Sequence, residues 1–188
     1  MDNLITDYLQ AIEKLMGKLS VPTIKQTIEI LYDAYENDKQ VFIMGNGGGA
    51  ASSSHFACDL AKGTIAKGKK RFRVISLTDN VPLLTAWAND TNYTNVFGEQ
   101  LYNLMNTGDV LIGLSASGMS PNIINAFLLA NDLGATTIGI VGFKGGTVKQ
   151  VVTTCLVVPT DNIQQIEDVQ TLLLHLISST LAEKIKGG

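Results

Sequence analysis

A short apolar run, Val41-Phe42-Ile43-Met44, leads directly into the sequence GNGGGAASSSHFACD of residues 45–59. An apolar run of this length predicts a buried strand. Glycines directly after a strand let the backbone turn sharply and approach a ligand closely. The serines that follow predict a helix start at which hydroxyls lie beside free backbone N–H groups, an arrangement that attracts an anion and most often a phosphate. The stretch therefore predicts a strand, a tight turn and a ligand-binding helix.

The chain beyond residue 40 alternates between short apolar strands and longer helices. The predicted strands are 40–44, 71–77, 109–114, 136–141 and 154–158, and the predicted helices are about 51–66, 81–89, 94–106, 121–133 and 163–185. Such alternation predicts an α/β fold, in which a parallel sheet carries helices on both faces. We expect a single domain over residues 1–188 with a five-stranded parallel sheet.

Two amphipathic helices, 4–17 and 22–37, precede the first predicted strand. Because they come before that strand, they are not crossover connections. Their apolar stripes exceed what one side of a small sheet can cover, which favours subunit contacts. We expect residues 1–38 to serve in oligomerisation.

The composition excludes several classes of protein. Of the 188 residues, 45% are hydrophobic and 16% charged, which is typical of a soluble globular protein. No apolar run is long enough to span a membrane, and the start of the chain lacks the pattern of a signal peptide. With a net charge of −3, the basic segment 67–73 favours a solvated loop over a nucleic-acid site. We expect a cytoplasmic protein that binds neither membrane nor nucleic acid.

A second candidate phosphate site follows the third predicted strand. Ser115, Ser117 and Ser120 surround Gly118 directly before a helix that starts at Pro121. Hydroxyls, backbone N–H groups and the helix dipole can together hold phosphate oxygens. Single serines are common in turns and caps, but three around one glycine favour phosphate. The competing dinucleotide pattern at residues 45–50 lacks an acidic residue about 20 positions on.

His55 and Asp59 are four residues apart, so they share one face of a helix. Imidazole and carboxylate together can bind zinc or another divalent metal, or can move protons. The other histidine, His175, lies in an apolar helix, where a buried structural role is equally compatible with the pattern. Glu167 offers a further carboxylate, although an acidic residue in the first turns of a helix also complements the helix dipole.

Five segments together resemble the phosphoheptose isomerase family of the sugar isomerase (SIS) superfamily. These segments are GNGGGAASSSHFACDL, SLTDN, WAND, LSASGMSPNII and IEDVQTLLLHLI, and the resemblance runs from about residue 3 to 185. It implies an isomerase that interconverts sedoheptulose 7-phosphate and D-glycero-D-manno-heptose 7-phosphate, the first step toward activated heptoses. It also implies a homotetramer with active sites at subunit interfaces, and a zinc ion in each.

The resemblance also implies the roles of individual residues. Asp59 and His175 take the positions of the catalytic pair, and His55, Asp59, Glu167 and His175 those of the metal ligands. The residues implied to bind substrate or phosphate are Asn46, Gly47, Gly48, Ser52, Ser53, Asp79, Asn89, Asp90, Ser115, Ser117 and Ser120.

Three positions depart from the family pattern. Gly49 replaces a serine, for which Ser52 or Ser53 would compensate; Asp59 replaces a glutamate; and Glu167 replaces a glutamine. On one straight helix, Glu167 and His175 would lie about 12 Å apart along the axis, so we expect at least one metal ligand from a neighbouring chain. Two alternatives stay open, a non-catalytic SIS-domain protein that binds a replication initiator and an isomerase of another phosphosugar.

Overall fold

A computed structural model describes residues 2–187. The helices are α1 Asp2–Met16, α2 Val21–Glu36, α3 Gly48–Cys58, α4 Val81–Asp90, α5 Gly98–Leu104, α6 Pro121–Asp132, α7 Val148–Val151 and α8 Ile163–Gly187. The strands are β1 Val41–Gly45, β2 Val74–Ser76, β3 Val110–Ser115, β4 Thr136–Val141 and β5 Thr154–Val157. A π-helical turn, Asp59–Gly63, extends α3, and a 3₁₀ turn spans Tyr93–Asn95.

The five strands form one parallel sheet in the order β2-β1-β3-β4-β5, which confirms the predicted α/β fold. Side chains of β1 alternate between two cores: Val41 and Ile43 pack with α2, α3 and α8, whereas Phe42 and Met44 pack with α5 and α6. Both faces of the sheet are therefore covered, as an all-parallel sheet requires.

Several element boundaries differ from the sequence prediction. The predicted strand 71–77 reduces to Val74–Ser76, because only these residues pair with β1 at the sheet edge. The predicted helix 51–66 begins earlier, at Gly48, and becomes π-helical at Asp59. The predicted helix 94–106 begins at Gly98 after a 3₁₀ turn, and the short α7 was not predicted at all.

Helix α1 buries only Leu15, whereas Leu4, Ile5 and Leu9 are more than half exposed. It is tied to α8 by the Tyr8 hydroxyl, which donates a hydrogen bond of 2.6 Å to Asp168 Oδ2. That bond raises the pKa of Tyr8. Among residues 2–187, no helix has both the length and the apolar character needed to cross a membrane.

Candidate active site

The loops after β1 and β3 leave the sheet side by side. Gly45 pairs with Leu114, so the last residues of both strands lie at the same edge. The chain turns from β1 to β2 on one side and then crosses to β3 on the other, which makes the gap between β1 and β3 the topological switch point. In open α/β sheets, ligands bind at that point, beyond the carboxyl ends of the strands.

The β3–α6 loop holds its three serines in a compact turn. Ser115 Oγ accepts the Gly118 backbone N–H at 3.1 Å and lies 3.2 Å from Ser120 Oγ. Ser117 Oγ accepts the Met119 N–H at 3.1 Å, while its side chain remains exposed. The structure thus brings the three predicted phosphate-binding serines together at the start of α6.

Gly118 is the residue that allows this turn. Its φ of +67° is in the left-handed region, which glycine adopts at little cost. A Cβ there would lie 2.2 Å from the carbonyl oxygen of Gly145, in the loop after β4. The phosphate loop is therefore packed backbone to backbone against its neighbour.

The β1–α3 loop approaches the same edge with little side-chain bulk. A Cβ on Gly45 would lie 2.4 Å from the Gly49 carbonyl oxygen, so only glycine permits the turn. Gly47 precedes α3 with a φ of +53° and has no side chain that could cap the helix. The Ala50 N–H donates to the Gly47 carbonyl at 3.0 Å, whereas the N–H groups of Gly48 and Gly49 have no acceptor within residues 2–187 and are left for a ligand.

Asn46 joins the two loops. Its side-chain amide forms two hydrogen bonds with that of Asn122 on α6, of 2.8 and 3.0 Å, and its Oδ1 also accepts the Tyr93 hydroxyl at 2.9 Å. The sequence did not predict a role in the site for Asn122 or Tyr93. The only signal for Asn122 was its place two residues after Ser120, at a helix start, and nothing in the sequence pointed to Tyr93.

The other predicted substrate residues are distributed over two more loops. Asp79, after β2, receives a short hydrogen bond from Ser54, and Ser54 also lies 3.0 Å from Thr78 Oγ1. Asn89 and Asp90 lie exposed at the end of α4, where Asn89 Nδ2 donates to Asp90 Oδ1 at 2.9 Å. Ser54 is a further polar contact that the sequence analysis did not identify.

The two serines expected to compensate for Gly49 differ in their exposure. Ser53 is completely buried, and its hydroxyl donates to the Gly49 carbonyl at 2.7 Å, within its own helix. It therefore faces the core, and this burial does not support its predicted role as a substrate residue. Ser52 is partly exposed.

His55, Asp59 and His175 form a compact cluster between α3 and α8. The two histidine Nε2 atoms lie 2.8 Å apart, and Asp59 Oδ2 lies 3.6 Å from His55 Nε2 and 3.8 Å from His175 Nε2. Both imidazoles are about half exposed, at 54%, and a cavity of about 420 Å³ opens beside Asp59 and His175. Asp59 begins the π-helical turn, a feature that often marks functional sites.

This cluster fits a divalent metal by two independent criteria. Asp59 Oδ2 is buried, and no hydrogen-bond partner for it lies within residues 2–187. The three ligand atoms all lie within 4.8 Å of one another. Tetrahedral zinc with bonds of about 2.0 Å separates its ligand atoms by about 3.3 Å, and the three observed separations of 2.8, 3.6 and 3.8 Å bracket that value.

Glu167 lies elsewhere on α8. A Cβ on Gly48 would be 3.1 Å from both of its carboxylate oxygens, so Glu167 faces the first turn of α3. Within the described part of the chain, the group of close ligand atoms contains His55, Asp59 and His175 but not Glu167. Three of the four predicted metal ligands therefore converge within one chain, and Glu167 does not join them there.

Comparison with known proteins identifies the relatives of this chain. The SIS domain family model matches residues 7–142. The phosphoheptose isomerase of Geotalea daltonii is 34% identical over 178 residues, covering 95% of this chain and 92% of the relative. That of Helicobacter pylori strain 26695 is 36% identical over 181 residues, covering 94% and 93%.

A solved structure agrees with these matches. The phosphoheptose isomerase of Francisella tularensis superposes with a TM-score of 0.89 at 27% identity, covering 97% of this chain and 96% of that one. The sequence and structural matches extend over nearly the whole chain. The chain therefore belongs to the SIS domain family and, within it, to the phosphoheptose isomerases.

Proposed function

We propose that this protein is an aldose–ketose isomerase that interconverts sedoheptulose 7-phosphate and D-glycero-D-manno-heptose 7-phosphate. One observation carries the proposal: the start of α3 shares the carboxyl edge of the sheet with the phosphate loop, and the His55–Asp59–His175 cluster lies further along α3. His55 lies seven residues after Gly48, about 10 Å along α3. In a seven-carbon sugar with phosphate on C7 that reacts at C1 and C2, the phosphate and the reacting carbons are likewise at opposite ends of the molecule.

The phosphate end of the substrate would bind at the start of α6. Ser115, Ser117 and Ser120 surround this end of the helix, and the helix dipole adds attraction for the anion. Asn46 and the open N–H groups of α3 face the same edge. The exposed polar groups of Asp79, Asn89 and Asp90 are candidates for the sugar hydroxyls.

The reaction transfers one proton between C1 and C2 of the sugar through an enediol. It requires a group that accepts the proton, a group that returns one, and stabilisation of the oxygen that gains charge. Asp59 and His175 are the two proton carriers in this proposal, and each would use an atom that the metal does not bind, Oδ1 on Asp59 and the nitrogen without a metal bond on His175. A divalent metal, zinc by its donor set, would be held by His55, Asp59 and His175 and would polarise the sugar oxygens.

A direct test is incubation of the purified protein with sedoheptulose 7-phosphate in D₂O, followed by NMR. We expect the aldose to appear with deuterium at C2, because the abstracted proton exchanges with solvent. Asp59→Asn keeps the shape of the side chain but removes the base, so it should abolish the reaction. Asp161→Asn, an exposed residue before α8, is the matched control and should retain it.

The same experiment separates the alternatives. Turnover of a different phosphosugar in preference to the heptose would overturn the substrate assignment. Binding of sedoheptulose 7-phosphate without turnover, in zinc-loaded protein, would instead favour a non-catalytic binding protein.

Assembly into a homotetramer in the cytoplasm forms part of this proposal. The support is the exposed apolar face of α1, where Leu4 is 75% and Leu9 63% exposed. A second copy of the chain would cover these side chains. The same assembly would allow a neighbouring chain to supply Glu167, or another ligand, to a shared metal site.

A further inference from the structure

We infer that Asn122 and Tyr93 are positioning residues that fix Asn46 as a hydrogen-bond donor to the phosphorylated end of the substrate. The inference rests on the proposed function, because it assigns the ligand of the same site more closely. Neither residue carries a role in the site described above. Their contacts with Asn46 determine which of its side-chain atoms remains available to bind the substrate.

The orientation of Asn122 is set by the backbone. Asn122 is 2% exposed and lies in the first turn of α6. Its Oδ1 accepts the backbone N–H of Ile123 at 3.1 Å, a group that also donates to the Ser120 carbonyl at 3.1 Å. An amide N–H can only donate, so rotating the Asn122 amide would place its NH₂ group against another donor. Asn122 therefore directs Nδ2 outward, toward Asn46.

That orientation determines the orientation of Asn46. Asn122 Nδ2 donates to Asn46 Oδ1 at 2.8 Å, and Asn46 Nδ2 donates back to Asn122 Oδ1 at 3.0 Å. The Tyr93 hydroxyl donates to the same Asn46 Oδ1 at 2.9 Å. A carbonyl oxygen has two lone pairs, and both are now used. What Asn46 still offers is one N–H of its Nδ2 group.

A lone N–H at this position selects an oxygen acceptor. Asn46 is partly exposed and is bonded to the first turn of α6, beside Ser115 and Ser120. The free N–H of Asn46 would therefore contact a phosphate oxygen. The carbons that exchange a proton, C1 and C2, would lie at the histidine cluster. Loss of the positioning contacts should weaken substrate binding and leave the chemical step unchanged.

Tyr93→Phe is the most informative variant, because the ring of Tyr93 is more than half exposed and its hydroxyl can be removed without unfolding the chain. We expect KM for sedoheptulose 7-phosphate and Kd for inorganic phosphate both to rise about three- to tenfold, the usual effect of one neutral hydrogen bond. The value of kcat should not change. Tyr102→Phe, a more exposed tyrosine on α5, should alter nothing.

A double-mutant cycle tests whether Tyr93 acts through Asn46. In an Asn46→Ala background, Tyr93→Phe should have no further effect on Kd or KM, because the group it positions is gone. Asn122→Ala should raise the same constants at least as much, with the folded state checked by thermal melting.

Three results would overturn the inference: unchanged phosphate affinity in Tyr93→Phe, a fall in kcat without a change in KM, or additive effects in the cycle. If the wild-type protein does not isomerise the heptose, the proposed function fails. The phosphate titration still decides the inference in that case, since it requires no turnover.

Discussion

The Nε2 atoms of His55 and His175 lie 2.8 Å apart, although 120 residues separate them in the chain. They meet because α3 and α8 both start at the carboxyl edge of the sheet and pack side by side on the same face. Asp59, one turn after His55, lies within 4 Å of both nitrogens, at 3.6 and 3.8 Å. The cluster is thus a product of helix packing.

Replacement of either histidine should remove the metal. We expect wild-type protein loaded with zinc to retain about one ion per chain after dialysis, and His55→Ala or His175→Ala to lose most of it, because two ligands do not complete a zinc site. Elemental analysis of dialysed protein measures this directly. Asp161→Asn should keep its zinc. Unchanged zinc content in both histidine variants would contradict the metal site.

Removal of the metal should also lower thermal stability. A ligand that binds only the folded state at 100 times its Kd adds about 2.7 kcal/mol. Wild-type protein should therefore melt at a lower temperature after treatment with a chelator, and added zinc should restore it. His55→Ala should show no such shift. An equal response to chelator in wild type and His55→Ala would place the metal elsewhere.

Ser117→Ala should weaken substrate binding with little effect on folding. Ser117 is exposed, and within residues 2–187 its hydroxyl accepts only the Met119 N–H of its own loop. Hydrogen bonds to a charged group are worth about 1.5–3 kcal/mol, so KM should rise about ten- to a hundredfold. Steady-state kinetics and a thermal melt test this together. Thr180→Ala, on the exposed face of α8, should match wild type in both.

Gly118→Ala should damage the phosphate loop and the fold around it. The left-handed backbone costs a non-glycine residue roughly 1–2 kcal/mol, and the added Cβ would also lie 2.2 Å from the Gly145 carbonyl oxygen. A loss above about 2 kcal/mol should lower the melting temperature by at least about 4 °C. Gly17→Ala meets only an ordinary contact of 3.7 Å and should be tolerated.

The exposed face of α1 provides a test of assembly. Leu4→Glu combined with Leu9→Glu introduces charge where we propose that another copy packs, so light scattering should report a smaller species than the tetramer proposed for the wild type. Gln10→Glu adds one charge at an exposed polar position of the same helix and should leave the mass unchanged. A stable wild-type monomer at micromolar concentration would refute the proposed assembly.

Cys155 should resist alkylation in the folded protein. Burial raises its pKa to about 11 from 9.0, with partial opposition from Lys149. At pH 8 its thiolate fraction is then about a hundredfold below that of an ordinary thiol, and the thiolate is the reactive form. Iodoacetamide labelling, followed by mass spectrometry, should speed up about tenfold per pH unit from 8 to 10. Labelling in guanidinium chloride should be fast, and fast labelling of the native protein would contradict the shift.

Local patterns in the sequence were sufficient for the architecture and for part of the site. Alternating apolar strands and helices predicted the parallel sheet, because burial on both faces imposes that pattern on every strand. Ser115, Ser117, Ser120 and Gly118 were predicted as a loop because they are neighbours in the chain. His55 and Asp59 were paired for the same reason, since helical spacing brings them to one face.

Contacts between distant segments were decided only by the tertiary structure. Sequence spacing could not show that Glu167 faces Gly48 while His175 meets His55, because that depends on how α8 packs against α3. The burial of Ser53 follows from which side of α3 meets the sheet. The link of Tyr93 and Asn122 to Asn46 requires three separate segments to converge at the gap between β1 and β3, and no local pattern in the chain specifies which side chains meet there.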